Sequence, residues 1–199
     1  MPTALQVQNP QLGGRERILV AATELFAQSG YHATSIRDIA RAVGVTVGAI
    51  YAHFASKSEI LLTAYAQGVE RVIKAVDDAT ATADEPWERL EAACRAHLDL
   101  LLYAGGLAQV VVRVQPDDVP DAAADLVALR DRYEKRFRAI VSELDLAPHI
   151  DRRLFRLTLM GALNWSKTWY RPGGTDTATI ARQIVETLRH GATTPQAAP

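Results

Sequence analysis

The chain has 199 residues, of which 48% are hydrophobic and 23% charged, with a formal net charge of −1. This balance is ordinary for a globular protein with one or two small domains, and the absence of any run of about 18 apolar residues excludes a helical membrane span. The lone Cys94 excludes an internal disulfide and leaves a buried structural thiol as the main reading, with a redox sensor as the lesser one.

Residues 1–13 are polar, contain Pro2, Pro10 and Gly13, and are expected to form a disordered arm; residues 192–199 read as a matching tail. A cytoplasmic location is expected, since the start lacks a basic-then-apolar leader. Between the two ends the periodicity is helical throughout. A first helix is predicted over 15–28, with Ile18, Ala21, Ala22, Leu25 and Phe26 inward. Thr34 can cap a second helix, whose apolar face is Ile36, Ile39, Ala40 and Val43. Gly44 follows at once, where a helix end favours a residue that tolerates the left-handed region. Thr46 can cap a third, short helix over 47–53, with Ile50 and Phe54 inward. Its other face is Thr46, Val47, Gly48, Ala49, Tyr51 and His53, all small or polar except Val47. Ser56-Lys57-Ser58-Glu59 has the spacing of a capping box that opens a long helix toward residue 79. Lys57, in that first turn, is placed to hold a phosphate together with the free N–H groups of the helix end.

Thr80 to Asp84 breaks the pattern, and Pro86 suits the first turn of a helix to residue 103 carrying Leu90, Ala93, Cys94, His97, Leu98 and Leu101. Gly105 and Gly106 end it. The four valines of residues 107–114 allow a strand, but an all-helical chain favours a short helix there. Pro116 and Pro120 bracket a loop, and Asp121 is expected to open a helix to residue 144, with Leu126, Leu129, Tyr133, Phe137, Ile140, Val141 and Leu144 inward. Asp151 caps the next helix, to residue 170, and Asp176 the last, to residue 190. On the former, Leu154, Thr158, Ala162, Trp165 and Trp169 share a face; Met160, Gly161 and Asn164 lie on the neighbouring one. Pro172 stops that helix and leaves Arg171 projecting from its end.

The segment at residues 34–61 resembles the DNA-binding domain of the TetR family of transcriptional regulators. The resemblance is carried by TSIRDIA at Thr34 to Ala40, AVGVT at Ala42 to Thr46, and the run from Gly48 to Leu61 that contains GAIY, HF and SK. The preceding helix fits as well, with RIL, AA, ELFA and a closing Gly30. The resemblance implies an all-α fold of about nine helices: a helix-turn-helix domain over 14–56 and a ligand-binding and dimerisation bundle over 57–191. It also implies a homodimer on a double-stranded, pseudo-palindromic operator, with repression as the default. Arg15, Thr34, Ser35, Thr46, Val47, Gly48, Ala49, Tyr51, His53 and Lys57 are the candidate DNA-contact residues. The first 60 residues carry five basic and four acidic side chains, and the short third helix has neither Arg nor Lys. Backbone contacts and a second copy must therefore supply much of the affinity.

The pattern from Gly161 to Gly174, with Asn164-Trp165 and Trp169-Tyr170-Arg171-Pro172, resembles the C-terminal part of a subgroup that senses acyl-CoA thioesters. That subgroup includes regulators of fatty-acid, phenylacetate and steroid-ring degradation. It implies a small-molecule effector, with Trp165, Trp169 and Arg171 lining or closing a pocket and Tyr133 and Phe137 facing it. Core or dimer contacts are the plain alternative for both tryptophans, and another hydrophobic ligand remains an alternative effector. The five histidines are scattered, and no metalloprotease helix, nucleophile elbow or phosphate loop occurs. No enzyme activity, cofactor or metal is therefore expected. A dimeric helical adaptor without DNA binding would explain the bundle but not residues 46–57.

Overall fold

The computed structural model describes residues 12–103 and 106–192. Among these it has nine α-helices and no strand. They are α1 (Gly14–Ser29), α2 (Ile36–Val43), α3 (Val47–Tyr51), α4 (Lys57–Thr80), α5 (Pro86–Tyr103), α6 (Gly106–Arg113), α7 (Ala123–Ser142), α8 (Arg152–Trp169) and α9 (Thr177–Ala192). Two short 3-10 turns, Pro116–Asp118 and Pro120–Ala122, precede α7. The expected arm and tail lie almost wholly outside the described residues. The described residues form two compact units, one of 12–70 and 106–131, the other of 71–103 and 132–192.

In the first unit α1 buries Ile18, Leu19, Ala22 and Phe26 against α2, which contributes Ile39, Ala40 and Val43, and against α6, which contributes Val110. Ile50 of α3, Phe54, and Ile60, Leu61, Ala64 and Tyr65 of α4 complete this core. Burying each large side chain contributes about 1.5–3 kcal/mol before entropy is counted. The residues at 107–114 prove helical because Val110 and Val114 recur at i, i+4 and are both buried. Gly106 starts this helix; Gly105 lies outside the described residues. In the second unit α5, α8 and α9 pack on one another around Leu90, Leu98, Leu101, Leu159, Leu163, Ala181 and Val185, with Phe137 and Ile140 of α7 added to the core.

Several local expectations need correction. Ser35, not Thr34, caps α2: its hydroxyl accepts from Asp38 N at 3.2 Å, while Asp38 Oδ2 accepts from Ser35 N at 3.0 Å. Thr34 is buried, and its hydroxyl donates instead to Gly30 O at 2.8 Å. α2 ends as expected, with Gly44 at φ 73 and ψ 37 and Val45 N reaching back to Ala40 O at 3.0 Å, a turn open to glycine because a side chain there is strained. α3 stops at Tyr51, where His53 N and Phe54 N both turn to Ile50 O. The box that opens α4 is displaced: Ser56 Oγ accepts from Glu59 N, but Glu59 reaches Ala55 N, not Ser56 N. α7 begins at Ala123 because the two prolines first fold the chain into 3-10 turns. Cys94 is fully buried, and burial pushes its thiol well up, which keeps it unreactive.

The reassigned cap has a measurable consequence. Ser35→Ala removes the hydroxyl half of the box, leaving the backbone N–H of residue 35 to Asp38, and is expected to lower the unfolding free energy by about 1 kcal/mol in chemical denaturation.

Candidate functional site

α3 is held by its buried side: Ile50 and Phe54 are 0% and 1% exposed. Thr46 caps it, accepting from Ala49 N at 3.2 Å. Thr46, Gly48, Tyr51 and His53 are exposed on its outer side, Tyr51 at 53%; Val47 and Ala49 are half-buried. A Cβ built on Gly48 would meet nothing nearer than the Thr46 hydroxyl at 3.8 Å, so glycine leaves this surface flat and open to close approach. The start of α1 adjoins the end of α3. The Arg15 guanidinium lies 4.4 Å over the Phe54 ring, and His53 Nε2 comes within 3.1 Å of a Cβ position on Gly14. Arg15, His53, Tyr51, Thr46 and the exposed Ser35 are therefore all available at the surface of the first unit.

Two of the candidate DNA contacts are engaged within the fold, Thr34 by burial and the half-buried Lys57 by hydrogen bonds. Thr34 is 2% exposed. Lys57 Nζ donates to Tyr31 O and to Thr34 O, both at 2.9 Å, and sits 4.0 Å over the Tyr31 ring. Burial lowers the pKa of its ammonium. This lysine closes the turn between α1 and α2 with two of its three N–H donors. Sequence reasoning had no signal for this, because its partners stand 23 and 26 residues away. Of the other cations, Arg17 donates to Val43 O at 2.9 Å and Arg41 pairs with Asp38 at 3.0 Å. The hydrogen bonds from Ser35 hold the Asp38 carboxyl below its ordinary range. The surface is thus polar, with Arg15 and Arg37 exposed beside the Arg41–Asp38 pair.

The second unit separates the residues expected to share a pocket. On α8 the inward side chains are Phe155, Leu159, Met160, Leu163 and Ser166. Leu154, Leu157, Trp165 and Trp169 are 58%, 40%, 66% and 48% exposed, and Arg171 is exposed beyond the helix end. With Gly161, around which a Cβ would find open space, they make a stripe at i, i+3, i+7, i+11 and i+15. Trp165, Trp169 and Arg171 therefore do not line the interior with Tyr133 and Phe137, which are buried. An exposed apolar stripe of this size marks a contact surface.

Inside the unit lies a polar group in apolar surroundings. Tyr133 Oη is 2.6 Å from His97 Nδ1, and His97 Nε2 is 3.0 Å from Asn164 Oδ1. Since an amide oxygen only accepts, Nε2 carries the proton and Nδ1 accepts from the tyrosine. The His97 ring stacks on Tyr133, Phe137 stands edge-on to both, and Met160 Sδ is 3.9 Å from the tyrosine oxygen. Burial pushes the His97 pKa down to about 4, and burial raises that of Tyr133. Chain-order reasoning put His97 and Tyr133 on inward faces and missed that they meet. The unfolded imidazole takes up a proton near pH 6.5 and the folded one only near pH 4, so the unfolded state binds more protons in that window and stability rises with pH across it. Unfolding free energy is expected to fall by up to roughly 3 kcal/mol between pH 6.5 and 4, and His97→Gln is expected to remove most of that slope in denaturant titrations.

Comparison with known proteins converges on this architecture. Residues 18–64 match the family described as bacterial regulatory proteins, tetR family, and residues 83–192 match the tetracyclin repressor-like C-terminal domain. The HTH-type transcriptional repressor KstR2 of Mycobacterium tuberculosis is 29% identical over 174 residues, 82% of this chain and 84% of that protein. Its solved structure superposes with a TM-score of 0.71 at 25% identity, covering 92% of this chain and 96% of that one. The HTH-type transcriptional activator FasR of Mycolicibacterium smegmatis is 36% identical over 87 residues, 44% of this chain and 40% of that protein. AibR, solved in complex with isovaleryl coenzyme A and operator DNA, has the same fold, with a TM-score of 0.76 at 21% identity over 88% of this chain and 97% of that one. The C-terminal match alone spans more than half of the sequence and the N-terminal match overlies α1, α2 and α3, so the chain belongs to the tetR family of bacterial regulatory proteins.

Proposed function

We propose that this regulator is a homodimeric repressor that reads a pseudo-palindromic operator with α3 of each subunit and is released by an acyl-CoA thioester. The observation that carries the reading is the outer side of α3, flat at Gly48 and polar at Thr46, Tyr51 and His53, on a helix anchored by Ile50 and Phe54. Small and polar side chains there suit close contact with base edges and the sugar–phosphate backbone. Ser35, Val47, Ala49 and Arg15 complete the contact set. A charge-poor surface of this kind needs two half-sites about 34–36 Å apart, one turn of DNA, to gain affinity.

The stripe on α8 supports the dimer. Two tryptophans and two leucines flank the small Gly161, which lets a second helix approach closely. The relatives support repression and the effector class: KstR2 is a transcriptional repressor, and AibR was solved with an acyl-CoA and operator DNA. Within the second unit the Tyr133–His97–Asn164 group is a buried polar group among aromatic and aliphatic side chains, the kind of surroundings that suit an acyl chain with one carbonyl. For the effector to release DNA it must prefer the conformer that fits the operator poorly, and operator binding must weaken effector binding by the same factor.

Three measurements check these points. Tyr51→Ala is expected to weaken specific operator binding at least tenfold in fluorescence anisotropy while the oligomeric state is unchanged. Trp165→Glu is expected to shift the protein to monomers in light scattering, because the side chain is exposed within one chain and its replacement leaves the core intact. Acyl-CoAs of increasing chain length, titrated into the protein–operator complex, are expected to release the DNA; if none changes either operator affinity or protein melting, the effector class is wrong.

A further inference from the structure

α1 ends without a complete cap of its own. Gly30 takes φ 87 and ψ 165, outside the left-handed helical region, and its N–H reaches Phe26 O alone. No basic residue stands in the last turn of α1. The next two carbonyls are satisfied from far along the chain: Arg113 Nη1, at the end of α6, donates to Ala27 O at 2.8 Å and to Gln28 O at 2.9 Å. Arg113 Nε lies 3.9 Å from a Cβ position on Gly30, so the guanidinium follows the chain out of the helix.

The helix that carries this arginine is fixed at close range. A Cβ on Gly106 would stand 3.1 Å from Thr23 Cγ2 and 3.3 Å from Thr23 O, which presses the start of α6 onto α1. A Cβ on Gly68 would stand 2.6 Å from Leu107 O and 2.8 Å from Val111 Cγ2, which presses the same helix onto α4. Two glycines therefore set the depth of α6, and Arg113 is held over the end of α1. Beyond that end come Tyr31 and Thr34, whose carbonyls Lys57 holds, and then Ser35, the cap of α2. The direction in which the chain leaves α1 is thus passed to α2 and, through the Gly44 turn, to α3.

We propose that Arg113 is a positioning residue for operator recognition: it completes the C-terminal cap of α1 and thereby fixes the orientation of α2 and α3. The first three helices are not a self-sufficient DNA-reading module; α6 closes them.

The proposal rests on operator binding, and the test uses the full chain with a duplex that the wild-type protein selects from a random library. Arg113→Ala is expected to weaken binding to that duplex at least tenfold, with an unchanged slope of log affinity against log salt. Arg113→Lys, which can still donate to both carbonyls as Lys57 does at its own pair, is expected to recover most of the loss. Affinity within twofold of wild type for Arg113→Ala overturns the proposal. A slope reduced by about one also overturns it, since Arg113 would then be a phosphate contact. Equal losses in both variants, accompanied by equal losses in melting temperature, reduce the residue to a structural role and likewise overturn it. If Arg113→Ala cannot be isolated folded, Gly106→Ala carries the test, because it moves α6 against α1 with the guanidinium intact: a loss of threefold or more supports the proposal and a change under twofold overturns it. A wild-type protein that selects no duplex overturns operator binding itself and this proposal with it, whereas a selective wild type with an unaffected Arg113→Ala overturns this proposal alone.

Discussion

A single ammonium group holds the DNA-reading end of this protein in shape. Lys57 has two backbone carbonyls and an aromatic ring as its partners. Both carbonyls belong to the turn between α1 and α2; Tyr31 O also accepts from Thr34 N at 3.3 Å, and the lysine ties the two together. The lysine opens α4, so the start of that helix, the end of α1 and the start of α2 meet at one charge. Everything that presents α3 follows from this junction: the Ser35 cap, the apolar face of α2, the left-handed Gly44 and the Thr46 cap succeed one another without slack.

Several basic residues of the first unit are used in holding it together. Arg17, Arg41, Lys57 and Arg113 all have backbone or side-chain partners within the first unit.

The second unit follows a different logic. Among the described residues its interior carries the hydrogen-bonded chain Tyr133 to His97 to Asn164, the hydrogen bond from buried Thr177 to Asp99 and the ion pair of Arg156 with Glu134. Buried polar groups of this kind specify one arrangement of the helices, since any other would strand a donor or an acceptor. The aromatic side chains that give the sequence its second recognisable motif sit on the opposite side of α8, in solvent.

The helices, their order and the helix-turn-helix were legible in the sequence, because helical periodicity, caps and turn glycines act between residues three or four apart. Even the cap of α2 was written there, one residue along, in the Ser35 and Asp38 spacing. What the sequence left open was decided between residues far apart in the chain. Periodicity gave α8 two candidate faces and could not choose the buried one, since tryptophans suit a core and an interface equally well. Nothing local gave Lys57 the carbonyls of Tyr31 and Thr34, or joined His97 to Tyr133, or gave Arg113 the end of a helix 85 residues earlier. The chain by itself determined the secondary structure and the family; tertiary packing decided which polar groups are consumed in holding the fold and which are left for a partner, because unsatisfied carbonyls and buried donors exist only once the helices are brought together.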